Sequence, residues 1–120
     1  MSGHKIERIQ SDITFQLSNI IPSLKDPRIS GLLSVVRVEV TNDLSYANIY
    51  IGSLEGLEQA KRAVKGLTNA SGYIRRELSS RLKLRKTPEL RFIADNSIEH
   101  SAMISKMIDD FAPNGDNQDE

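Results

Sequence analysis

Ile6, Ile9, Ile13, Leu17 and Ile20 recur at steps of three and four residues, the spacing of one apolar stripe along an α-helix. The pattern predicts a first helix that ends near Pro22 and keeps Arg8, Asp12 and Gln16 on its wet side. The stretch PSLKDPRISG follows, and Pro22, Pro27 and Gly31 forbid a continuing helix or a central strand there. Arg28 falls in this loop, where solvation is the default state of an arginine. From Leu32 to Thr41 the period shortens to two. Val36, Val38 and Val40 fall on one side, with Arg37 and Glu39 on the other. Asn42 and Asp43 supply turn chemistry. Tyr46 to Ile51 then alternates again, so that Ala47, Ile49 and Ile51 join the valines while Tyr46, Asn48 and Tyr50 face outward. An antiparallel hairpin is predicted.

Leu57, Ala60, Val64 and Leu67 return to helical spacing, and Ile74, Leu78 and Leu82 continue it. Between the two sets lies Asn69-Ala70-Ser71-Gly72. Gly66 and Gly72 each cost about 1 kcal/mol relative to alanine inside a helix, so a kink or tight corner is expected rather than one straight rod. Leu90, Phe92 and Ala94 alternate with Arg91 and Ile93 to predict a third short strand. Asp95, Asn96 and Ser97 suit a helix cap. Ile98, Met103, Ile104, Met107 and Ile108 then predict a last helix of about three turns. The terminal PNGDNQDE has no apolar anchor and is expected to be disordered. One domain over residues 1–111 with an acidic tail over 112–120 is the resulting organisation, of a size that holds one core without disulfide or metal support.

Charge changes this picture from a generic α+β domain to a directional one. The chain is formally neutral, yet Ala60–Arg91 holds ten of its sixteen cations: Lys61, Arg62, Lys65, Arg75, Arg76, Arg81, Lys83, Arg85, Lys86 and Arg91. Only Glu77 and Glu89 oppose them there, leaving a net +8 in this block. On an idealised wheel Lys61, Lys65, Arg76 and Lys83 share a side turned away from the Leu57/Leu67/Leu78 stripe. Such segregation suits a polyanionic partner, although a solvated helix face is the simpler alternative. Tyr46 and Tyr50 on an open sheet face are able to stack on unpaired bases; covering cross-strand neighbours is their ordinary role.

Candidate catalytic chemistry is sparse. There is no cysteine, which excludes thiolate metal sites, disulfides and a cysteine nucleophile. His4 and His100 have no paired metal-ligand spacing. No Walker A, dinucleotide-binding or G-x-S-x-G motif occurs, and the carboxylates fall on predicted wet faces and caps. A non-enzyme without cofactor, metal or small-molecule substrate is expected. The start MSGHKIERIQ has no apolar signal core, and no apolar run is long enough to span a bilayer. A cytoplasmic protein is the expectation, and nothing in the chain calls for more than a monomer.

The order helix, strand, strand, helix, corner, helix, strand resembles the type II KH fold, αββααβ, with a kinked helix pair on a three-stranded sheet. The G-x-x-G loop by which KH domains clamp a nucleic-acid backbone is missing; Ala70-Ser71-Gly72 stands at the corner instead. The chain resembles one KH-like family in particular, bacterial ribosome-binding factor A, in which an Ala-x-Gly kink replaces that loop. Carrying the resemblance are Lys25-Asp26-Pro27-Arg28-Ile29, Val38-Glu39-Val40 with Asp43-Leu44-Ser45-Tyr46-Ala47, ASGYIRREL from Ala70 to Leu78, and Pro88-Glu89-Leu90 with Phe92 and Asp95-Asn96-Ser97. It implies a factor that binds the free or immature 30S subunit and its 16S rRNA, and assists late maturation including 5′-end processing, above all in the cold. The ten cations and the Ala70–Gly72 kink are the expected RNA-binding surface. A protein-binding adaptor that turns the same basic surface to an acidic partner is the alternative.

Overall fold

The structure, a computed structural model, describes residues 2–96. The helix predicted from Ile98 and the acidic tail lie outside the described residues. Helix α1 spans Ser2–Ile20 and closes in a short 3-10 turn, Ile21–Ser23. Strands β1 (Leu33–Val40) and β2 (Tyr46–Ser53) form the hairpin, helices α2 (Leu57–Asn69) and α3 (Ser71–Leu82) meet at a corner, and β3 (Glu89–Ala94) follows. The order αββααβ is the one expected from the periodicities.

The sheet is mixed, in the order β1-β2-β3. β2 pairs antiparallel with β1 and parallel with β3. A parallel partner needs a crossover, and the α2–α3 pair is that crossover. One sheet face carries Val38, Val40, Ala47, Ile49, Ile51, Leu90 and Phe92, all buried. These residues form one core with Ile9, Ile13, Leu17 and Ile20 of α1, Leu67 of α2, and Ile74 and Leu78 of α3. All three helices therefore lie on the same side, and the other face, bearing Arg37, Glu39, Tyr46, Asn48, Tyr50 and Arg91, is half-buried or exposed.

Two local readings are corrected. Val36 does not share the buried side with Val38 and Val40. The register runs Val35 opposite Ile51 and then Arg37 opposite Tyr50, so Val36 is the extra residue of a β-bulge and Val35 takes its place against the core. Strict alternation cannot reveal a bulge, because the valines at 35 and 36 satisfy either register. In the hairpin turn the left-handed residue is Leu44 (φ 61°), not Asn42 or Asp43. The Leu44 N–H closes a turn onto the Thr41 carbonyl at 2.9 Å, and the Leu44 side chain packs on the core. Asp43 is used differently: its carboxylate accepts the Ser45 N–H at 3.0 Å and, second, the Thr41 hydroxyl at 2.9 Å, which hold it below the ordinary carboxylate range.

The loop between α1 and β1 is clamped rather than merely solvated. The Asp26 carboxylate accepts the Arg28 backbone N–H at 2.8 Å and the Arg28 guanidinium at 3.0 and 2.7 Å. This clamp lies against Gly66 of α2. A β-carbon there would come within 2.8 Å of Ile29 Cγ1 and 3.0 Å of Asp26 Oδ2. Gly66 is thus a close-approach glycine inside α2 and does not break it. Gly72, within α3, is exposed and meets nothing nearer than Arg76 Nη1 at 3.8 Å.

The two glycines should therefore respond oppositely to alanine. Gly66→Ala is expected to destabilise by about 1–2 kcal/mol, overpacking outweighing the gain in helix propensity, whereas Gly72→Ala should stabilise by about 0.5–1 kcal/mol; urea unfolding midpoints measure both. A second expectation concerns acid. Hydrogen bonds from Arg28 hold Asp26 below its ordinary 3.8. A carboxyl with a lowered folded-state value stabilises fully above its unfolded value, and that contribution vanishes as pH falls through the folded one. The stability gap between wild type and Asp26→Asn should be constant near neutral pH and close progressively below about pH 4, as read from urea midpoints across that range.

Candidate nucleic-acid interface

The corner between α2 and α3 is made by Ala70, in the bridge region at φ −91°, ψ 6°. Its N–H is shared between the Gly66 and Leu67 carbonyls, both at 3.1 Å, which closes α2. Ile74 N–H then reaches back to the Ala70 carbonyl at 2.9 Å and opens α3. No glycine is required in this geometry, so the corner falls where it was expected for a reason other than Gly66 or Gly72. The buried Leu67, Ile74 and Leu78 fix both helices on the core, and the polar sides of both point away from the sheet.

Helix α3 ends on Lys83, whose backbone is left-handed (φ 52°, ψ 42°) and whose N–H caps the Ser79 carbonyl at 2.9 Å. Glycine is the residue that fits such a cap without steric cost. Lysine holds the position here.

The ten cations of the basic block are all exposed, but they divide by what holds them. Arg75 donates through Nε and Nη2 to the Thr87 carbonyl, at 3.2 and 2.7 Å, and ties the α3–β3 connection to the helix. Arg81 pairs with Glu77 at 3.3 Å and reaches Gln16 of α1. Lys86 donates to the Asp43 carbonyl and Ser45 Oγ at 3.4 and 3.5 Å, and Lys61 sits 3.5 Å from Glu58. Arg91 lies on the opposite, open sheet face, its guanidinium 3.7 Å from the centre of the Tyr46 ring. The remaining five, Arg62, Lys65, Arg76, Lys83 and Arg85, have no hydrogen bond, ion pair or ring contact among the described residues. Arg75, Arg76 and Arg85 come together around a groove that Gly72, Ser79, Leu84 and Thr87 complete.

On the open sheet face the tyrosines cover their neighbours. Arg37 stacks 4.0 Å above Tyr50, whose hydroxyl donates to Glu39 at 3.1 Å. One face of each ring is therefore already taken by a guanidinium. Glu39 and Glu89 accompany Arg37 and Arg91 there, so this face lacks the charge excess of the helix side. Among the described residues no group of three or more metal-ligating side chains occurs, and no helix is long and apolar enough to cross a membrane.

A family model described as ribosome-binding factor A matches residues 5–108. The chain belongs to the ribosome-binding factor A family. Curated relatives named ribosome-binding factor A include those of Acetivibrio thermocellus, 46% identical over 88% of this chain and 87% of its own, and of Clostridium tetani, 40% identical over the whole of both chains. Among solved structures, the crystal structure of ribosome-binding factor A from Thermus thermophilus superposes with a TM-score of 0.65 at 26% identity, over 74% of this chain and 94% of that one. A solution structure from Thermotoga maritima, of a protein proposed to be a ribosome-binding factor A, gives a TM-score of 0.68 at 33% identity, over 78% and 89%. A further match, with a TM-score of 0.53 at 27% identity over 68% and 90%, is to a homology model of the Thermus thermophilus factor as fitted into a cryo-electron-microscopy map of a 30S complex.

In this member of the ribosome-binding factor A family, tethered and untethered cations sit in one charge run and are alike in sequence. The separation is testable by stability alone. Arg75→Ala should cost about 1 kcal/mol by releasing the Thr87 carbonyl, and Arg76→Ala, one residue on, should stay within about 0.5 kcal/mol of wild type in urea unfolding.

Proposed function

We propose that this chain is a ribosome assembly factor that binds the free or immature 30S subunit through its 16S rRNA, using the outer side of the α2–α3 pair. Arg62, Lys65, Arg76, Lys83 and Arg85 are the cations assigned to phosphate contact, with Arg75 shaping the groove beside them. Arg81, Lys86, Lys61 and Arg91 contribute field more than contact, because each is engaged within the protein. The single observation that carries the reading is that five cations of this basic block stand on the solvent side of the helix layer with no partner among the described residues. Charges spent on internal ion pairs would stabilise the fold slightly; charges left open serve a polyanion.

Lys83 supports the same reading. A left-handed lysine is retained at about 1 kcal/mol or more relative to glycine, which is accounted for when the side chain is used. The protein acts by binding, with no catalytic group assigned to it. Holding rRNA in a conformation open to late folding and to 5′-end processing follows from such binding, and assistance in the cold follows from rRNA misfolding being slow to reverse there. The Thermus thermophilus factor, fitted as a homology model into a map of a 30S complex, supports this partner.

Reversing the five open cations to glutamate should abolish co-sedimentation with purified small subunits while the urea midpoint stays close to wild type. For the wild type, five phosphate contacts on single-stranded RNA give a salt slope near −3.5, so raising salt from about 50 to about 200 mM should weaken binding about a hundredfold. Retention by subunits that survives complete RNA digestion would favour an adaptor for an acidic protein instead. Lys83→Gly provides an independent check: stability up by about 1 kcal/mol and subunit affinity down, in the same variant.

A further inference from the structure

The basic surface carries one aromatic residue whose role neither the fold nor the charge explains. Tyr73 occupies the first turn of α3, is 44% exposed, and has no hydrogen bond or ring contact among the described residues. Tyr46 and Tyr50 differ in both respects: they lie on the open sheet face, each with a guanidinium over its ring. Helical spacing places Tyr73, Arg76 and Ser80 in one stripe, since residues three and four apart are neighbours on a helix surface. The core contacts of α3, Ile74 and Leu78, fall on the other side. Arg76 therefore stands between the ring and the groove lined by Gly72, Arg75 and Arg85.

We infer that Tyr73 is a base-stacking platform, so that the α2–α3 surface selects unpaired over duplex RNA. A phosphate contact carries no preference between strands and single bases, because every nucleotide presents the same phosphate. An exposed ring beside unpaired cations adds that preference. Bases in a duplex are stacked on each other and offer no free face, whereas an unpaired base can leave the chain and lie on the tyrosine while Arg76 and Arg85 hold adjacent phosphates. The ring is 44% exposed and lies outside the apolar core, and its hydroxyl serves no internal partner among the described residues. This assignment rests on the RNA-binding reading above and names the class of RNA within it.

The experiment compares full-length wild type, Tyr73→Phe, Tyr73→Leu and the five-cation reversal on two probes, a short single-stranded RNA of mixed sequence without self-complementarity and a blunt RNA duplex. Fluorescence anisotropy gives affinities, and urea midpoints confirm that each variant folds. Stacking predicts that Tyr73→Leu binds the single strand about tenfold more weakly, that Tyr73→Phe stays within about twofold of wild type, and that duplex affinity is the same in all three. The inference is overturned if Tyr73→Leu matches wild type on the single strand, or if it loses equally on both probes. If Tyr73→Leu is silent while the five-cation reversal loses both probes, the stacking role fails and RNA binding stands. If the reversal is silent as well, RNA binding fails with it.

Discussion

A three-stranded sheet that buries only one face constrains everything else in this molecule. Val38, Val40, Ala47, Ile49, Ile51, Leu90 and Phe92 present a single apolar surface, and full burial of each side chain larger than alanine contributes about 1.5–3 kcal/mol. Three helices must share that surface. Helix α1 covers it with four buried residues and α3 with two, while α2 adds Leu67 to the core and buries Ala60, Ala63 and Gly66, the last against the α1–β1 loop. Small residues dominate the buried side of α2, and the clamped Asp26–Arg28 loop lies in the space they leave. Because every helix spends its apolar stripe on the same layer, the polar sides of α2 and α3 have nowhere to point but outward.

The proposed interface follows from that arrangement combined with selective pairing. A basic helix inside a neutral protein is ordinarily neutralised by acids three or four residues away. Here, among the described residues, only Lys61 and Arg81 have such partners, in Glu58 and Glu77. Arg75 is instead consumed by a backbone carbonyl, which fixes the α3–β3 connection and so the position of Arg85 and Lys86. The tethered cations build the platform and the untethered ones face outward from it. A single run of charge in the sequence resolves into two jobs in space.

Much of the fold was legible because its elements differ in period: steps of three and four in α1, α2 and α3, and of two in the strands. The corner at Ala70 was legible too, though the inference ran through the wrong residues. Gly66 and Gly72 read as helix breakers by propensity, yet Gly66 is small because Ile29 and Asp26 press on it from a loop distant in sequence. The bulge at Val36 and the left-handed Leu44 were hidden for a related reason. Two adjacent valines fit either register, and a leucine is chosen at a left-handed position only when core packing overrides backbone preference. Of the site, the ten cations were visible as composition, but which of them were free depended on acceptors such as the Thr87 carbonyl and Gln16, contacts that no local pattern encodes.

The two ends of α3 show where demands other than stability prevail. At its start an exposed Gly72 stands where alanine would fit, and just past its end Lys83 stands where glycine would fit. Exchanging those preferences would improve the helix at both positions, each by about 1 kcal/mol. Neither departure lies in the core, where packing could enforce it. Gly72 opens onto the groove shared with Arg75, Arg76 and Arg85, and Lys83, next in sequence to the groove residue Leu84, adds a charge with no partner among the described residues. Two local rules broken on one helix are what the RNA-binding use proposed for this surface would account for. The cost to α3 is carried by Ile74 and Leu78, which are fully buried and hold the helix in place regardless of how its ends are written.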